Sequence, residues 1–240
     1  MNILLDMHTH TIVSGHAYST LQEMAQAAAE RGLKLLGITD HGPGMNGACN
    51  PMYFRNFSVV PQFINGVEIM MGAEMNILNT QGTLDLDKST RKLLSLRIAG
   101  FHYRSFEKGT IEENTDGLIK VIKSKEIDII SHPGDGTAEL LFEPIVLAAK
   151  EHGTLLEINN SSLKPIRKKP MARPNNIEIL KLCKKYDVPV ILGSDAHISF
   201  DIACYEHIYE LLAETEFPEE LIVNDKIDMF KEIIRKKKEG

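Results

Sequence analysis

Short apolar segments alternate along the chain with segments of helical periodicity. Seven of the apolar segments have the length and the Ile, Leu and Val content of buried strands. They are Ile3–Met7, Leu35–Thr39, Ile69–Asn76, Leu96–Phe101, Ile127–Ser131, Leu155–Asn159 and Val190–Gly193. The periodic segments predict six helices, at Thr20–Gly32, Glu112–Lys125, Glu139–His152, Asn175–Tyr186, Ala203–Glu214 and Asp225–Lys237. The first of these helices opens with a capping box formed by Thr20 and Glu23.

This alternation of strands and helices predicts an α/β fold with a parallel sheet. Periodicity alone does not decide whether the sheet closes into a barrel. The segment Gly42–Gly66 is too long for a plain connection and is expected to form a lid or a pocket wall. Residues Thr80–Asp87 are expected to form a short turn or hairpin.

Composition narrows the class of protein. The 240 residues fit one domain spanning 1–240, and a hydrophobic share of 43% with 25% charged residues is ordinary for a globular protein. A balance of 27 basic to 33 acidic residues argues against a stable nucleic-acid partner. No apolar run approaches the roughly 20 residues that span a bilayer, so no membrane partner is expected. Three scattered cysteines and no signal peptide predict a cytoplasmic protein without disulfides.

The histidines are the first chemical signal. Seven of the nine lie at or just beyond the ends of predicted strands. His8 and His10 follow the first strand two positions apart, so their side chains point the same way on an extended chain. His16 follows in a loop, and each of the remaining four closes a later strand: His41, His102, His132 and His197.

Two carboxylates share this pattern. Glu74 lies inside an apolar run, where a buried charge is costly unless it is paired or binds a metal. Asp195 ends the seventh strand two residues before His197. Asp40, beside His41, is expected to orient a metal ligand from outside the coordination sphere.

Parallel barrels build their active sites from the carboxyl ends of their strands, so we expect these groups to converge. The predicted metal ligands are His8, His10, His16, His41, Glu74, His102, His132, Asp195 and His197. Nine ligands exceed what one tetrahedral ion takes and suit two or three ions that share a bridging carboxylate. Imidazole and carboxylate donors suit zinc, iron, manganese or nickel, and zinc is the default; a site of three ions would hold three Zn²⁺ per chain.

The charge of such a site suggests its substrate. Three divalent ions against two carboxylates leave a surplus of about +4, which suits a phosphate ester attacked by a metal-bound hydroxide. Glu74, Asp195 and His197 are the predicted catalytic residues. Asn159 and the basic residues Arg167 and Arg173 are the predicted substrate contacts.

Several motifs together resemble one known family, the PHP (polymerase and histidinol phosphatase) superfamily. They are D-M-H-T-H-T, I-T-D-H-G-P, S-H-P and G-S-D-A-H, and L-E-I-N-N-S-S adds a likeness to the YcdX-like stand-alone phosphatases. The resemblance implies a distorted seven-stranded (β/α)7 barrel with three metals at the C-terminal rim of the strands. It also implies how the ligands are divided: His8, His10, Glu74 and Asp195 for one ion, Glu74, His102 and His132 for a second, and His16, His41 and His197 for a third.

The leading functional hypothesis is a metal-dependent phosphatase acting on a small phosphorylated substrate. Histidinol-phosphate phosphatase and a nucleotide or DNA 3′-end phosphoesterase are the alternatives within the same chemistry. An amidohydrolase ranks low, because His102 and its neighbours supply no lysine at the fourth strand end, where that family carries a carboxylated one. Metal storage without catalysis is the outside alternative, and homo-oligomerisation stays open.

Overall fold

Seven parallel strands form a nearly closed barrel in the computed structural model, which describes residues 2–239. The barrel strands are β1 Leu5–Asp6, β2 Leu35–Ile38, β4 Val67–Asn76, β5 Leu96–Gly100, β6 Ile129–Ile130, β7 Leu155–Asn159 and β8 Val190–Gly193, hydrogen-bonded in that order. A short strand β3, Phe63–Ile64, pairs antiparallel with β4 outside this path. The predicted α/β barrel is confirmed, and each predicted strand is present, although β1 and β6 are shorter than expected.

Helices connect the strands. They are α1 Leu21–Glu30, α2 Met52–Arg55, α3 Lys88–Arg91, α4 Ile111–Lys123, α5 Phe142–His152, α6 Asn160–Leu163, α7 Ala172–Tyr186, α8 Glu206–Thr215 and α9 Ile227–Glu239. The capping box of α1 forms as predicted, since Thr20 accepts from the Glu23 amide while the Glu23 carboxylate accepts from the Thr20 amide. Among the described residues, no helix combines the length and the apolar character needed to cross a bilayer.

The long segment 42–66 contains more structure than its sequence pattern indicated. It holds α2, a 3₁₀ turn at Phe57–Val59 and β3. The hairpin from β3 to β4 turns at Asn65 and Gly66, both with positive φ (52° and 79°). Asn-Gly is a strong signal for such a turn, because both positions tolerate the left-handed region. Further along, a bridge between Ile77 and Leu84 agrees with the short hairpin expected at 80–87.

Alternate strand residues face opposite sides of the barrel wall. Leu35 belongs to an apolar cluster that draws on six strands, whereas Leu36 packs with Met24 and Ala28 of α1. The cluster inside the barrel is Leu5, Met7, Leu35, Leu96, Ile98, Ile129, Leu155 and Ile191. Val223 and, from α9, Phe230 and Ile234 complete it, and all three are almost fully buried. Since the cluster includes the first residues of several strands, α9 closes the N-terminal end of the barrel and leaves the C-terminal end for chemistry.

The barrel closes between β1 and β8 with the help of one asparagine. The Asn224 side chain accepts from the Leu192 amide (2.8 Å) and donates to the carbonyls of Leu192 (2.9 Å) and Leu5 (3.2 Å). Its own carbonyl accepts from the amides of Leu4 and Leu5. At the C-terminal end the two strands meet directly through a bridge between Thr9 and Ala196.

Candidate metal centre

All nine predicted ligands converge at the C-terminal end of the barrel, and the carboxylate of Glu74 lies at their centre. Its two oxygens face different imidazoles. Oε1 lies 2.8 Å from His132 Nε2 and 3.3 Å from His102 Nε2. Oε2 lies 3.0 Å from His41 Nδ1, 3.2 Å from His8 Nε2 and 3.5 Å from His10 Nε2. A single carboxylate therefore links five imidazoles.

Asp195 and the remaining histidines surround this centre. Asp195 Oδ1 lies 3.3 Å from His10 Nε2 and 3.7 Å from His8 Nε2. His197 Nε2 lies 3.0 Å from His16 Nε2, and the His16 ring stacks on that of His41 with their centroids 5.1 Å apart. The parallel strand ends thus bring together groups that are far apart in sequence.

Hydrogen bonds to the outer ring nitrogens orient four of the imidazoles. The acceptors are Glu157 Oε1 for His8 (2.7 Å), Ser14 Oγ for His10 (3.0 Å), the Ser14 carbonyl for His16 (3.1 Å) and the Asp195 carbonyl for His197 (3.1 Å). Each acceptor favours the tautomer with its hydrogen on Nδ1, in which Nε2 of the neutral ring offers a lone pair.

These Nε2 atoms face one another in pairs. His8 Nε2 and His10 Nε2 are 3.1 Å apart, and His16 Nε2 and His197 Nε2 are 3.0 Å apart. Two lone pairs at this separation repel unless a cation or a proton lies next to both. Second ring nitrogens held by oxygen acceptors are characteristic of histidines that ligate metals.

Several buried polar atoms of the cluster have no hydrogen bond. They are His41 Nδ1, Glu74 Oε2, both ring nitrogens of His102, and His132 Nδ1. His41 Nδ1 and Glu74 Oε2 are close, but their orientation is not that of a hydrogen bond. Unsatisfied polar atoms are costly inside a protein, and metal coordination would satisfy one nitrogen of each of these imidazoles and the carboxylate oxygen. The donors therefore fit a metal centre.

Three overlapping triads have ligand atoms within 4.8 Å of one another. They are His10–His41–His197, His8–His10–Glu74 and His41–Glu74–His102. His10, His41 and Glu74 each belong to two triads, so the geometry describes one continuous cluster. How the ligands divide among separate ions stays a prediction.

Electrostatics keeps most of the donors in the protonation state that metals require. Burial, together with the neighbouring imidazoles, lowers the pKa of His10 and His16, and burial lowers that of His102 to about 4. Burial by itself would raise the pKa of Glu74 and Asp195, but the surrounding imidazoles hold both well below their usual range. Neutral imidazoles and ionised carboxylates bind cations without first losing a proton.

His8 and His132 behave differently. Burial opposes their charged form, yet the carboxylates beside them, Glu157 and Glu74 at His8 and Glu74 at His132, outweigh it and raise the pKa of both imidazoles. A metal ion bound at either nitrogen therefore competes with a proton.

The backbone is strained where it presents two of these ligands. His132 and Asp195 have φ angles of 33° and 53°, a region that non-glycine residues rarely adopt. Gly193, in the G-S-D-A-H motif, has a different role: a Cβ there would collide with the carboxylate of Glu157. The glycine therefore makes room for the acceptor that orients His8.

Glu157 is a site residue that the sequence interpretation missed. Its Oε1 accepts from His8, and its Oε2 accepts from the His132 amide (2.7 Å) and from Asn159 Nδ2 (3.1 Å). The signal was present, because Glu157 is a carboxylate within the apolar run of β7, just as Glu74 is within that of β4. The same burial argument applies to both residues.

Asp40 orients a predicted metal ligand through an intervening residue, as expected. That ligand is not its sequence neighbour His41. Asp40 accepts from the Thr11 amide (2.7 Å), the Ser14 hydroxyl (2.7 Å) and the Tyr53 hydroxyl (2.7 Å). Since the Ser14 hydroxyl donates to Asp40, its oxygen is left to accept from His10. Asp40 thereby orients His10 through Ser14.

A cavity of about 180 Å³ opens onto the cluster. Besides the metal-type ligands, its lining includes Met45, Tyr103, Asp135, Arg167 and Lys169. From the segment 42–66, which was expected to form a lid or pocket wall, Met45 reaches this lining.

The structure brings only one of the three predicted substrate contacts to the cavity. Arg167 lines it. Asn159 is fully buried and caps α6 by accepting from the Ser162 amide. Arg173 lies on the outer surface and pairs with Glu214. Lys169, which the sequence interpretation did not single out, lines the cavity instead.

Comparison with known proteins adds independent evidence. The profile of the PHP domain matches residues 6–235. A protein of Acetivibrio thermocellus named probable phosphatase is 42% identical over 100% of this chain and 98% of its own length. A protein of the same name from Caldicellulosiruptor saccharolyticus is 46% identical over 98% of this chain and 97% of its own.

Two solved structures share the fold. The histidinol phosphate phosphatase of Lactococcus lactis, solved with zinc, L-histidinol and phosphate, superposes with a TM-score of 0.58 at 19% identity, covering 89% of this chain and 94% of its own. A putative histidinol phosphatase of Listeria monocytogenes superposes with a TM-score of 0.59 at 16% identity, covering 84% and 98%. At these identities the likeness is one of fold.

Proposed function

The chain belongs to the PHP domain family, and from that membership we propose that it hydrolyses small phosphate monoesters at a site holding three metal ions, with zinc as the preferred metal. Its relatives at 42 to 46% identity are named probable phosphatases, and the chain is a phosphatase of this family. The number of ions and the class of ester are the parts that we propose.

One observation carries the proposal: four imidazoles, each with Nδ1 held by an oxygen acceptor, direct Nε2 into a cluster with the carboxylates of Glu74 and Asp195. Ions bound by this donor set would polarise the phosphoryl oxygens and supply a hydroxide as nucleophile. The known zinc complex of a protein with this fold supports zinc as the metal.

Glu74 is suited to bridge two ions, because its oxygens face separate groups of imidazoles. Oε1 faces His102 and His132, while Oε2 faces His8, His10 and His41. Asp195 Oδ1 faces His8 and His10 as well. Apart from His41, whose Nδ1 lies 3.0 Å from Oε2, this division supports the partition that the family resemblance implies for two of the ions.

His16 and His197, with their Nε2 atoms 3.0 Å apart, would hold the third ion. His41 completes this group in the proposed partition, because its ring stacks on that of His16. Each of the three proposed catalytic residues, Glu74, Asp195 and His197, would therefore act as a ligand of a bound ion.

The cavity limits how much of the ester it encloses. At about 180 Å³ it is smaller than the roughly 300–1,000 Å³ of pockets that enclose drug-sized ligands. It accommodates a phosphoryl group and a small part of the leaving group. Arg167 lines it, and a guanidinium can bind two phosphate oxygens at once.

Metal content and turnover test the proposal together. Zinc-loaded protein should contain three ions per chain by plasma mass spectrometry and should hydrolyse p-nitrophenyl phosphate. Glu74→Gln should lose at least one ion and lower kcat/KM by at least about a hundredfold, since even residues behind the ligands contribute 10- to 100-fold. The matched control is Glu68→Gln, on the same strand but paired with Lys231 away from the site, which should change neither quantity. Fewer than three ions in the wild type, or full turnover by Glu74→Gln, would contradict the proposal.

A further inference from the structure

Lys169 is held in place at the cavity by a buried carboxylate. Its Nζ donates to Asp135 Oδ2, and the Lys169 side chain keeps 34% of its surface exposed while that of Asp135 keeps 4%. Asp135 is fixed in turn by the amide and the hydroxyl of Thr137, both at 2.7 Å. An ammonium has three donors, so two remain for a ligand.

Lys169 also lies beside the metal-type ligands. Asp135 Oδ2, to which it is bound, lies 3.6 Å from His132 Nδ1. Arg167 provides a second cation on the same lining, close to His197. Because Lys169 is already ordered by Asp135, binding an anion there costs little additional side-chain entropy.

Among the described residues, every carboxylate that lines the cavity already contacts an imidazole or an ammonium group, so none is left to pair with a cation of the substrate. The three carboxylates of the lining are Glu74, Asp135 and Asp195. Glu74 and Asp195 are surrounded by imidazoles, and Asp135 is occupied by Lys169. A substrate ammonium group would therefore meet Lys169, Arg167 and the bound ions without a compensating negative charge.

We propose that Lys169, fixed by Asp135, is a specificity-determining residue that favours phosphate esters with a carboxylate near the phosphate and disfavours those with an ammonium group there. The inference rests on the proposed phosphatase function and names its substrate class. Phosphorylated hydroxy acids belong to the favoured class. Amino-alcohol phosphates, histidinol phosphate included, belong to the disfavoured class.

Binding of phosphonates, which the enzyme cannot hydrolyse as esters, tests the preference without turnover. Calorimetry on the zinc-loaded protein would compare phosphonoacetate, propylphosphonate and 2-aminoethylphosphonate. We expect Kd to rise in that order, with at least about a tenfold difference between the first and the last, as like charges a few ångströms apart require. Equal affinities, or tighter binding of the aminophosphonate, would overturn the inference.

Variants of Lys169 show how much of the difference in Kd comes from its charge and how much from the bound ions. Lys169→Met should narrow the ratio of the two extreme Kd values at least threefold, whereas Lys169→Arg, which keeps the charge, should retain it. The matched control is Lys168→Met, an adjacent exposed lysine that does not line the cavity. An unchanged ratio in Lys169→Met would mean that the ions alone select the ligand, and the inference would fail.

Measuring the hydrolysis of two esters shows whether the role of Lys169 or the phosphatase proposal has failed. We expect kcat/KM to be at least about tenfold higher for phosphoglycolate than for O-phosphoethanolamine, by the same charge argument. If the protein hydrolyses both esters equally well, the phosphatase stands and the role of Lys169 falls. If it hydrolyses neither these esters nor p-nitrophenyl phosphate but binds the phosphonates in the expected order, the phosphatase proposal falls and the charge selection stands.

Discussion

At the scale of single residues, the groups behind the ligands decide what the ligands can do. An imidazole binds a metal only through an unprotonated nitrogen, and its hydrogen must lie on the other one. Glu157, Ser14 and two backbone carbonyls fix that hydrogen for four of the seven histidines. These acceptors therefore contribute to metal affinity without touching a metal.

Glu157 offers the sharpest test at this scale. In Glu157→Gln, one carboxylate oxygen is replaced by an amide that can only donate, although His8 Nδ1, the His132 amide and Asn159 Nδ2 all donate to this side chain. We expect zinc affinity, measured by competition with a chromophoric chelator, to fall about 10- to 100-fold. Glu143→Gln, at an exposed position on α5, is the control and should bind zinc like the wild type. Unchanged zinc affinity in Glu157→Gln would refute the orienting role.

At the scale of elements, very short strands are enough to present the site. β1 and β6 have two residues each, yet each delivers ligands directly beyond its end, His8 and His10 after β1 and His132 after β6. The polar cluster occupies the C-terminal end of the barrel, and α9 seals the other end. Its residues Phe230, Ile234 and Lys237 recur at helical spacing and are all buried, at 0%, 4% and 7% exposure.

The seal by α9 should contribute strongly to stability. Phe230→Ala removes a fully buried ring from the core cluster inside the barrel, and we expect it to lower the free energy of unfolding by about 3–5 kcal/mol in urea titrations. Met229→Ala is the control, because Met229 is 38% exposed, and it should change stability by less than about 1 kcal/mol. A loss in Phe230→Ala no larger than in the control would show that α9 is not part of the core.

At the scale of the whole molecule, the closure of the barrel depends on a residue outside its strands. β1 and β8 are not paired along their lengths, and the Asn224 side chain substitutes for the missing backbone partners at their N-terminal halves. An amide side chain can do this because it carries both a donor and an acceptor, as a peptide group does.

Replacing Asn224 by aspartate tests this closure with almost no change in volume. Asn224→Asp keeps an acceptor for the Leu192 amide but turns the donor toward the Leu5 and Leu192 carbonyls into a second acceptor. We expect a loss of about 2–5 kcal/mol in the free energy of unfolding at neutral pH, because a buried charge then faces two carbonyl oxygens. Asn65→Asp, in the exposed hairpin turn, is the control, since Asp-Gly suits the same turn. Equal stability of the two variants would contradict the role assigned to Asn224.

The sequence by itself determined the fold class, the strands and the set of groups at the barrel mouth. These follow from local rules: strand periodicity, the i and i+2 spacing of His8 and His10, and the convergence of parallel strand ends. The carboxylate of Glu74 could be singled out because its cost in an apolar run is also local.

The tertiary structure alone decided which side chains complete the site. Glu157 and His8 are 149 positions apart in the sequence. They meet because β7 and β1 lie on either side of β8 in the barrel. Within the basic segment 164–173, Arg167 and Lys169 reach the cavity, whereas Arg173, in the first turn of α7, points outward to Glu214. Periodicity constrains the direction of side chains on strands and helices, but in loops that direction depends on partners contributed by distant segments, and no local pattern encodes those partners.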